Sequence, residues 1–453
     1  MNILYIHTHD SGRILSPYGY DVPTPNIKMF ASDATVFTQS YCASPTCSPS
    51  RAALLTSTYP HQNGMLGLAQ RGFSIDYSKH LVNFLNSEGF HTVLCGIQHE
   101  AGWYLEHEKG ASIIGYKENL TCDNSKYRQE DLTIWDGKNA DNLDQWINNY
   151  DKKKPFFISY GMYSTHRRYP DVIDEEINEN MVQPPYPLPN NAKTRKDHAR
   201  YMTSANNTDK CFGKIIESLK RNGLYEDTII IFTTDHGLAN PFSKCTLFDS
   251  GIAVSLIIRV PNSKAKGEVV DNLVSHIDVF PTLCDLLALD KPNYLEGISF
   301  AKSFEDTKAK TRNEIFAEVT FHTSYEPIRC IRTERYKYIR YYDTKYLKIN
   351  KSNIDESLSK DYFLNNDLDG QIKFEEALFD LYYDVGERNN LINNPKYEGI
   401  KEKLRKKLEK HLKDTEDIIL KGEIPINKKW KVNKKECNLA SSKDENDYVS
   451  LGR

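Results

Sequence analysis

The chain has 453 residues, with 59 Lys and Arg against 62 Asp and Glu, a net charge of -3 and 39% hydrophobic residues. That length suits a large α/β domain with a smaller companion, and the hydrophobic share excludes wholesale disorder. The even charge balance excludes a dedicated nucleic-acid binder, which needs a basic excess to displace counterions, and no apolar run reaches the ~18–20 residues that span a bilayer.

The chain opens straight into a strand-like run at residues 2–7. No basic and apolar leader precedes it, which predicts a cytoplasmic protein if Met1 is the native start. A helix over residues 81–88, closed by Gly89, leads into a strand at 91–95. A helical stretch at 142–150 precedes a buried strand at 155–160, and the longest helix spans about 195–221, ended by Asn222-Gly223. The β-branched run Thr228-Ile229-Ile230-Ile231-Phe232-Thr233 suits a parallel strand buried on both faces. Further strands fall at 255–260 and 314–319, with a helix over Val279–Leu287 between them.

Strands separated by helices predict an α/β fold over residues 1–324, a large mixed, mostly parallel sheet flanked by helices on both faces. Beyond about residue 325 the texture changes. Strands at 328–334 and 335–342 form a hairpin behind Pro327, and residues 397–412 form a basic amphipathic helix. This predicts a smaller C-terminal α+β domain over 325–453, an antiparallel sheet plus helix, with a loosely held charged tail from Lys428. The nine cysteines form no CxxC pair, so most read as reduced, buried small hydrophobes.

In open parallel sheets, ligands collect outside the carboxyl ends of the strands. Four polar clusters sit at such ends: His9-Asp10, His99, His166 and Asp235-His236. A lone histidine after a strand is unremarkable, but four clusters on one edge form a candidate active site.

Cys47-Ser48-Pro49-Ser50-Arg51 matches a C-x-P-x-R signature, and the match runs on through Tyr59-Pro60-His61-Gln62-Asn63-Gly64-Met65. It continues at Thr233-Thr234-Asp235-His236-Gly237, at Lys244-Cys245-Thr246-Leu247-Phe248-Asp249-Ser250-Gly251 and at Leu378-Phe379-Asp380-Leu381-Tyr382. On these residues the chain resembles the formylglycine-dependent sulfatases, within the alkaline-phosphatase-like superfamily, over essentially its whole length. The stretch from His61 to Met65 is most similar to the sulfamidase branch, which removes N-linked sulfate from glucosamine.

The resemblance implies that a maturase oxidises Cys47 to formylglycine, whose hydrate supplies one hydroxyl to attack sulfur and a second to release sulfate. Arg51 would be a fixed cation beside it, and the helix beginning near Ser50 would turn its N-terminus toward the anion. His99 and His166 would serve proton transfer, and Lys244 would bind sulfate and protonate the leaving group. His9, Asp10, Asp235 and His236, together with the group made from Cys47, would hold one divalent cation. Ca2+ is the first expectation; two imidazoles in the set keep Mn2+ or another transition metal in view.

Two departures stand out. His9 occupies a place where sulfatases carry aspartate, so it is either a ligand or a bystander. Ile97 stands where many carry a lysine, leaving Arg167 or Arg168 as candidate substitutes. The expected substrate is a sulfated glucosamine-type carbohydrate, with loops at 104–117, 169–189 and 321–327 setting its identity. The Asp235-His236 pair also fits a phosphonate or phosphate ester hydrolase, and His9 with Ile97 would fit an inactive glycan-binding relative.

Overall fold

The computed structural model describes residues 1–102 and 109–450. An eight-stranded sheet runs in the spatial order Glu118–Asn119, His91–Gly96, Phe156–Gly161, Asn2–Thr8, Thr228–Thr234, Leu256–Arg259, Thr35–Phe37 and Val269–Val270. The central strands pair in parallel, as expected, while Leu256–Arg259 runs antiparallel to both of its neighbours.

Side-chain alternation along these strands explains why both faces are covered. Leu4, Ile6, Ile158, Tyr160, Ile230 and Phe232 point into one core, packed under the long Ala192–Arg221 helix through Phe212, Ile215 and Leu219. Ile3, Tyr5, Phe157, Ile229 and Ile231 point the other way, against Leu54 and Leu55 of the Cys47–Thr56 helix and Phe280 and Leu283 of Val279–Leu287. Among the described residues, no helix is long and apolar enough to cross a membrane.

The second sheet is antiparallel, in the order Glu314–Phe321, Tyr325–Thr333, Tyr336–Tyr341 and Glu376–Asp380. The Glu398–Asp414 helix covers it with Leu404, Leu408 and Leu412. Several expectations change here. The strand expected at 314–319 pairs with Tyr325–Thr333 rather than joining the large sheet, so the second sheet begins ahead of residue 325. Pro327 lies inside a strand; the register shifts between Val319 and Phe321, and this irregularity tolerates a residue without an N–H. The helix expected from residue 142 begins at Leu132, because Trp135, Asp136 and Asn139 are buried and extend its packed face.

The tail is fastened rather than loose. Arg71 donates to the carbonyls of Lys431 and Ala440 and to Asn433 Oδ1 (2.8 Å). Val432, Asn433, Cys437 and Tyr448 are buried. At Gly72, in the left-handed region, a Cβ would lie 2.2 Å from the Lys429 carbonyl, so only glycine lets the segment approach. Of the loop expected at 104–117, residues 104–108 lie outside the described residues, and Lys109–Ile114 is a short helix. Residues 451–453 of the tail also lie outside them.

Candidate active site

Because Asn2–Thr8, His91–Gly96, Phe156–Gly161 and Thr228–Thr234 are mutually parallel, their carboxyl ends share one edge of the sheet. His9, Asp10, His99, Asp235 and His236 are buried there, and His166 is half-buried. Cys47 joins them as the first residue of its helix, with Thr46 as an extended N-cap, so the helix starts earlier than the expected Ser50. Donor atoms of His9, Asp10, Cys47 and Asp235 all lie within 4.8 Å of one another, as do those of His9, Cys47 and His99.

Hydrogen bonds fix how these groups face. His236 Nδ1 donates to the Gly237 carbonyl at 2.9 Å, which leaves Nε2 as a lone pair. That lone pair lies 3.2 Å from Asp10 Oδ1 and 3.4 Å from Cys47 Sγ. Among the described residues, Asp10 Oδ1 and His9 Nε2 are buried without a hydrogen-bond partner. Two acceptors face to face in a dry site repel one another, and each unmet buried group costs about 1–3 kcal/mol. A divalent cation among them would remove both penalties, so this donor set of carboxylates and imidazoles fits one.

Asp235 is the hub of the floor. Its Oδ1 accepts from the backbone N–H of Asp10 and of His236, both at 2.9 Å, and its Oδ2 accepts from Arg51 Nη2 at 3.1 Å. Burial would raise its pKa, but the Arg51 guanidinium and the N–H donors on both oxygens oppose burial, and the carboxyl is held well below the usual range. Arg51 also donates to the Thr8 carbonyl at 2.7 Å and to His7 Nδ1. Since guanidinium only donates, His7 Nδ1 accepts and its Nε2 donates to Ser159 Oγ at 3.1 Å. His9 is pushed down to about 3 by burial and by Arg51, and His99 falls well below its ordinary value through burial beside His9. Burial likewise raises the Cys47 thiol well above its usual value despite nearby Lys244.

Lys244 Nζ donates to Asp10 Oδ2 at 3.1 Å and to Asp355 Oδ2 at 2.9 Å. Burial would lower its pKa, yet the two carboxylates raise it well above normal, so this lysine stays a cation. His166 Nδ1 donates to the Arg167 carbonyl, leaving Nε2 as its working atom. Above these groups opens a cavity of about 590 Å3, lined by Cys47, His99, His166 and Lys244 among others.

The residues expected to carry the chemistry, His9, Asp10, Cys47, Arg51, His99, His166, Asp235, His236 and Lys244, therefore meet at one site. Ile97 is buried against Leu132, Trp135 and Tyr163, a core position with no place for charge. Of its candidate substitutes, Arg167 is bound bidentately by Asp197 (2.8 Å twice) and by Asn240 (2.7 Å), whereas Arg168 is exposed and lines the cavity. Sequence reading missed His7, His322 and Asp355. His7 lies within a strand and alternates with core residues. His322 follows the Glu314–Phe321 strand and lines the cavity, which its strand-end position could have suggested. Asp355 lies in a polar stretch that carries no signal.

A sequence model described as Sulfatase matches residues 1–289, and one described as N-sulphoglucosamine sulphohydrolase, C-terminal, matches residues 235–353. An ulvan-active sulfatase of Formosa agariphila is 27% identical, over 95% of this chain and 78% of that protein. N-sulphoglucosamine sulphohydrolase of Homo sapiens is 24% identical, over 92% of this chain and 90% of that protein. In fold, the chain is similar to BT4656, solved in complex with its substrate D-glucosamine-2-N,6-O-disulfate. The TM-score is 0.68 at 18% identity, covering 92% of this chain and 98% of that one.

Proposed function

The chain belongs to the sulfatase family, and from that premise we propose that it removes sulfate from a glucosamine-type sugar, with N-sulfate preferred over O-sulfate. The observation that carries this reading is the buried quartet His9, Asp10, Cys47 and Asp235, with donor atoms within 4.8 Å, on the floor of a cavity walled by His166 and Lys244. The names of the human relative and of the C-terminal family model support the glucosamine half.

Each residue has a task its surroundings favour. A buried, protonated thiol is a poor nucleophile, which supports conversion of Cys47 by a maturase to formylglycine, whose hydrate would supply the attacking hydroxyl. His9, Asp10, Asp235 and His236 would hold one divalent cation, Ca2+ first and Mn2+ as the alternative, which would supply positive charge where negative charge grows. Arg51 keeps Asp235 ionised and oriented. Lys244, its proton held by Asp10 and Asp355, serves the sulfate as a fixed charge. His166 Nε2 is then the better-placed proton donor to the departing nitrogen or oxygen. His99, kept neutral by burial, is left to accept a proton at the nucleophile.

The test is sulfate release by matured protein from defined N- and O-sulfated glucosamines and galactosamines, with a phosphonate monoester alongside. Release from N-sulfated glucosamine is expected. Release from O-sulfated sugars alone would reject the sulfamidase half, and turnover of the phosphonate alone would reject the sulfatase reading.

A further inference from the structure

The cavity over Cys47 is closed on one side by the C-terminal segment, through Lys431, residues 439–442 and Tyr448. These residues lie outside both stretches matched by the family models, 1–289 and 235–353. The segment's backbone is pinned at several points: Lys431 N–H donates to the Arg71 carbonyl (2.9 Å), Asn433 N–H to that of Thr323 (2.7 Å) and Val449 N–H to that of Val432 (2.9 Å). Arg71 closes the latch from its own side chain onto Lys431, Asn433 and Ala440.

Most cations lining this cavity are spoken for. Lys244 is held by Asp10 and Asp355, Arg167 by Asp197, and Arg71 by the latched segment. Two are not. Among the described residues, neither Lys431 nor Arg168 has a carboxylate within ion-pair distance, and both are exposed to the cavity. Lys431 Nζ sits 4.1 Å from the centre of the Tyr448 ring, a contact that orients the ammonium without neutralising it. A lone surface lysine is ordinarily just solvated. Here one sits on a pinned wall and shares a cavity with an unpaired arginine, beyond the charges that serve the floor.

We propose that Lys431 and Arg168 form a second anion site, receiving a further sulfate or a carboxylate carried by the same saccharide whose first sulfate is presented to Cys47. The proposal rests on the sulfated-sugar reading above and narrows it to substrates with at least two anionic groups.

Binding tests it without turnover. Calorimetry on protein with unconverted Cys47 would compare glucosamine carrying one sulfate, glucosamine carrying two, and a singly sulfated glucosamine joined to a hexuronate. We expect the second anion to tighten binding by about fivefold, in line with a single exposed ion pair. Lys431→Glu and Arg168→Ala should each reduce that ratio, and added salt should narrow it. Whichever doubly anionic ligand gains more identifies the group as sulfate or carboxylate. Equal affinity of the unaltered protein for singly and doubly anionic sugars, or a ratio unchanged in both variants, would overturn the proposal. An intact ratio with no sulfate release by matured protein would instead reject the hydrolase reading and leave the anion site standing.

Discussion

Asp10→Asn probes the cation site with the least disturbance. Asp10 has φ +48, in the left-handed region that asparagine tolerates well, and the two side chains are nearly isosteric. Without metal the change is mild, since Lys244 keeps Asp355 at 2.9 Å and the new amide can donate toward His236 Nε2, 3.2 Å from the present Oδ1. We expect a cost of about 1 kcal/mol, the worth of one hydrogen bond. With metal the loss is larger, because a full negative charge leaves the donor set. If affinity falls about a hundredfold, then at a metal concentration of about 100 times the unaltered Kd, stabilisation drops from about 2.7 to about 0.4 kcal/mol. Each kcal/mol moves Tm by about 2–4 °C in domains of 150–250 residues and by less in a longer chain. The unaltered protein should therefore gain about 3–5 °C on adding metal, and the variant less than about 1 °C. Thermal unfolding at a fixed scan rate, in chelator and in excess Ca2+ or Mn2+, reads this directly, with elemental analysis for content. An Asp10→Asn protein that keeps the full shift and full metal content would refute the ligand assignment, as would an unaltered protein indifferent to every divalent cation.

Three further outcomes follow from the same geometry. Cys47→Ser should leave the fold intact and accumulate a covalently sulfated serine under saturating substrate, since one hydroxyl can attack but none remains to expel sulfate; intact-protein mass spectrometry that shows no adduct would contradict this release step. His166→Ala should lower kcat/KM on the sulfated sugar about a hundredfold while costing an aryl sulfate far less, because a phenolate leaves without an acid; equal losses on both would remove His166 from the acid role. Buried His61 lies against Glu318 (2.5 Å) and Asp417 (3.6 Å); burial lowers its pKa, but the two carboxylates outweigh burial and raise it, with Arg329 and His411 also facing it. A raised pKa contributes stability in full below the unfolded value of about 6.5 and loses it as pH climbs through the folded one. The urea midpoint of Glu318→Gln should thus fall furthest below the unaltered protein near pH 6 and approach it toward pH 9, and a gap that widens instead would reverse the assigned sign.

The site was legible in the sequence because its chemistry is carried by residues at strand ends and by one helix start, where local pattern and placement coincide. His9, Asp10, Asp235 and His236 each follow a clear apolar run, and Cys47 opens a helix whose signature is contiguous. What escaped were residues placed by long-range packing. Asp355 reaches Lys244 across 111 positions, and Lys431 reaches the cavity through a tail clamped by Arg71, Gly72 and the Thr323 carbonyl. The strand beginning at Glu314 has the same β-rich character whichever sheet it joins; its partner is chosen by the hairpin that follows. Arg167 and Arg168 are neighbours in sequence with opposite fates, one spent on Asp197 and one open, a difference set by the position of the Ala192–Arg221 helix.

If formylglycine made from Cys47 is the nucleophile, turnover depends on the converted fraction of the protein. Protein would be prepared with graded maturase, the converted fraction read from the mass of the peptide containing Cys47, and sulfate release from sulfated glucosamine measured on the same samples. Release should be proportional to the converted fraction and absent at zero conversion. Release by unconverted protein, or none from fully converted protein on any of the sulfated sugars, would contradict this assignment.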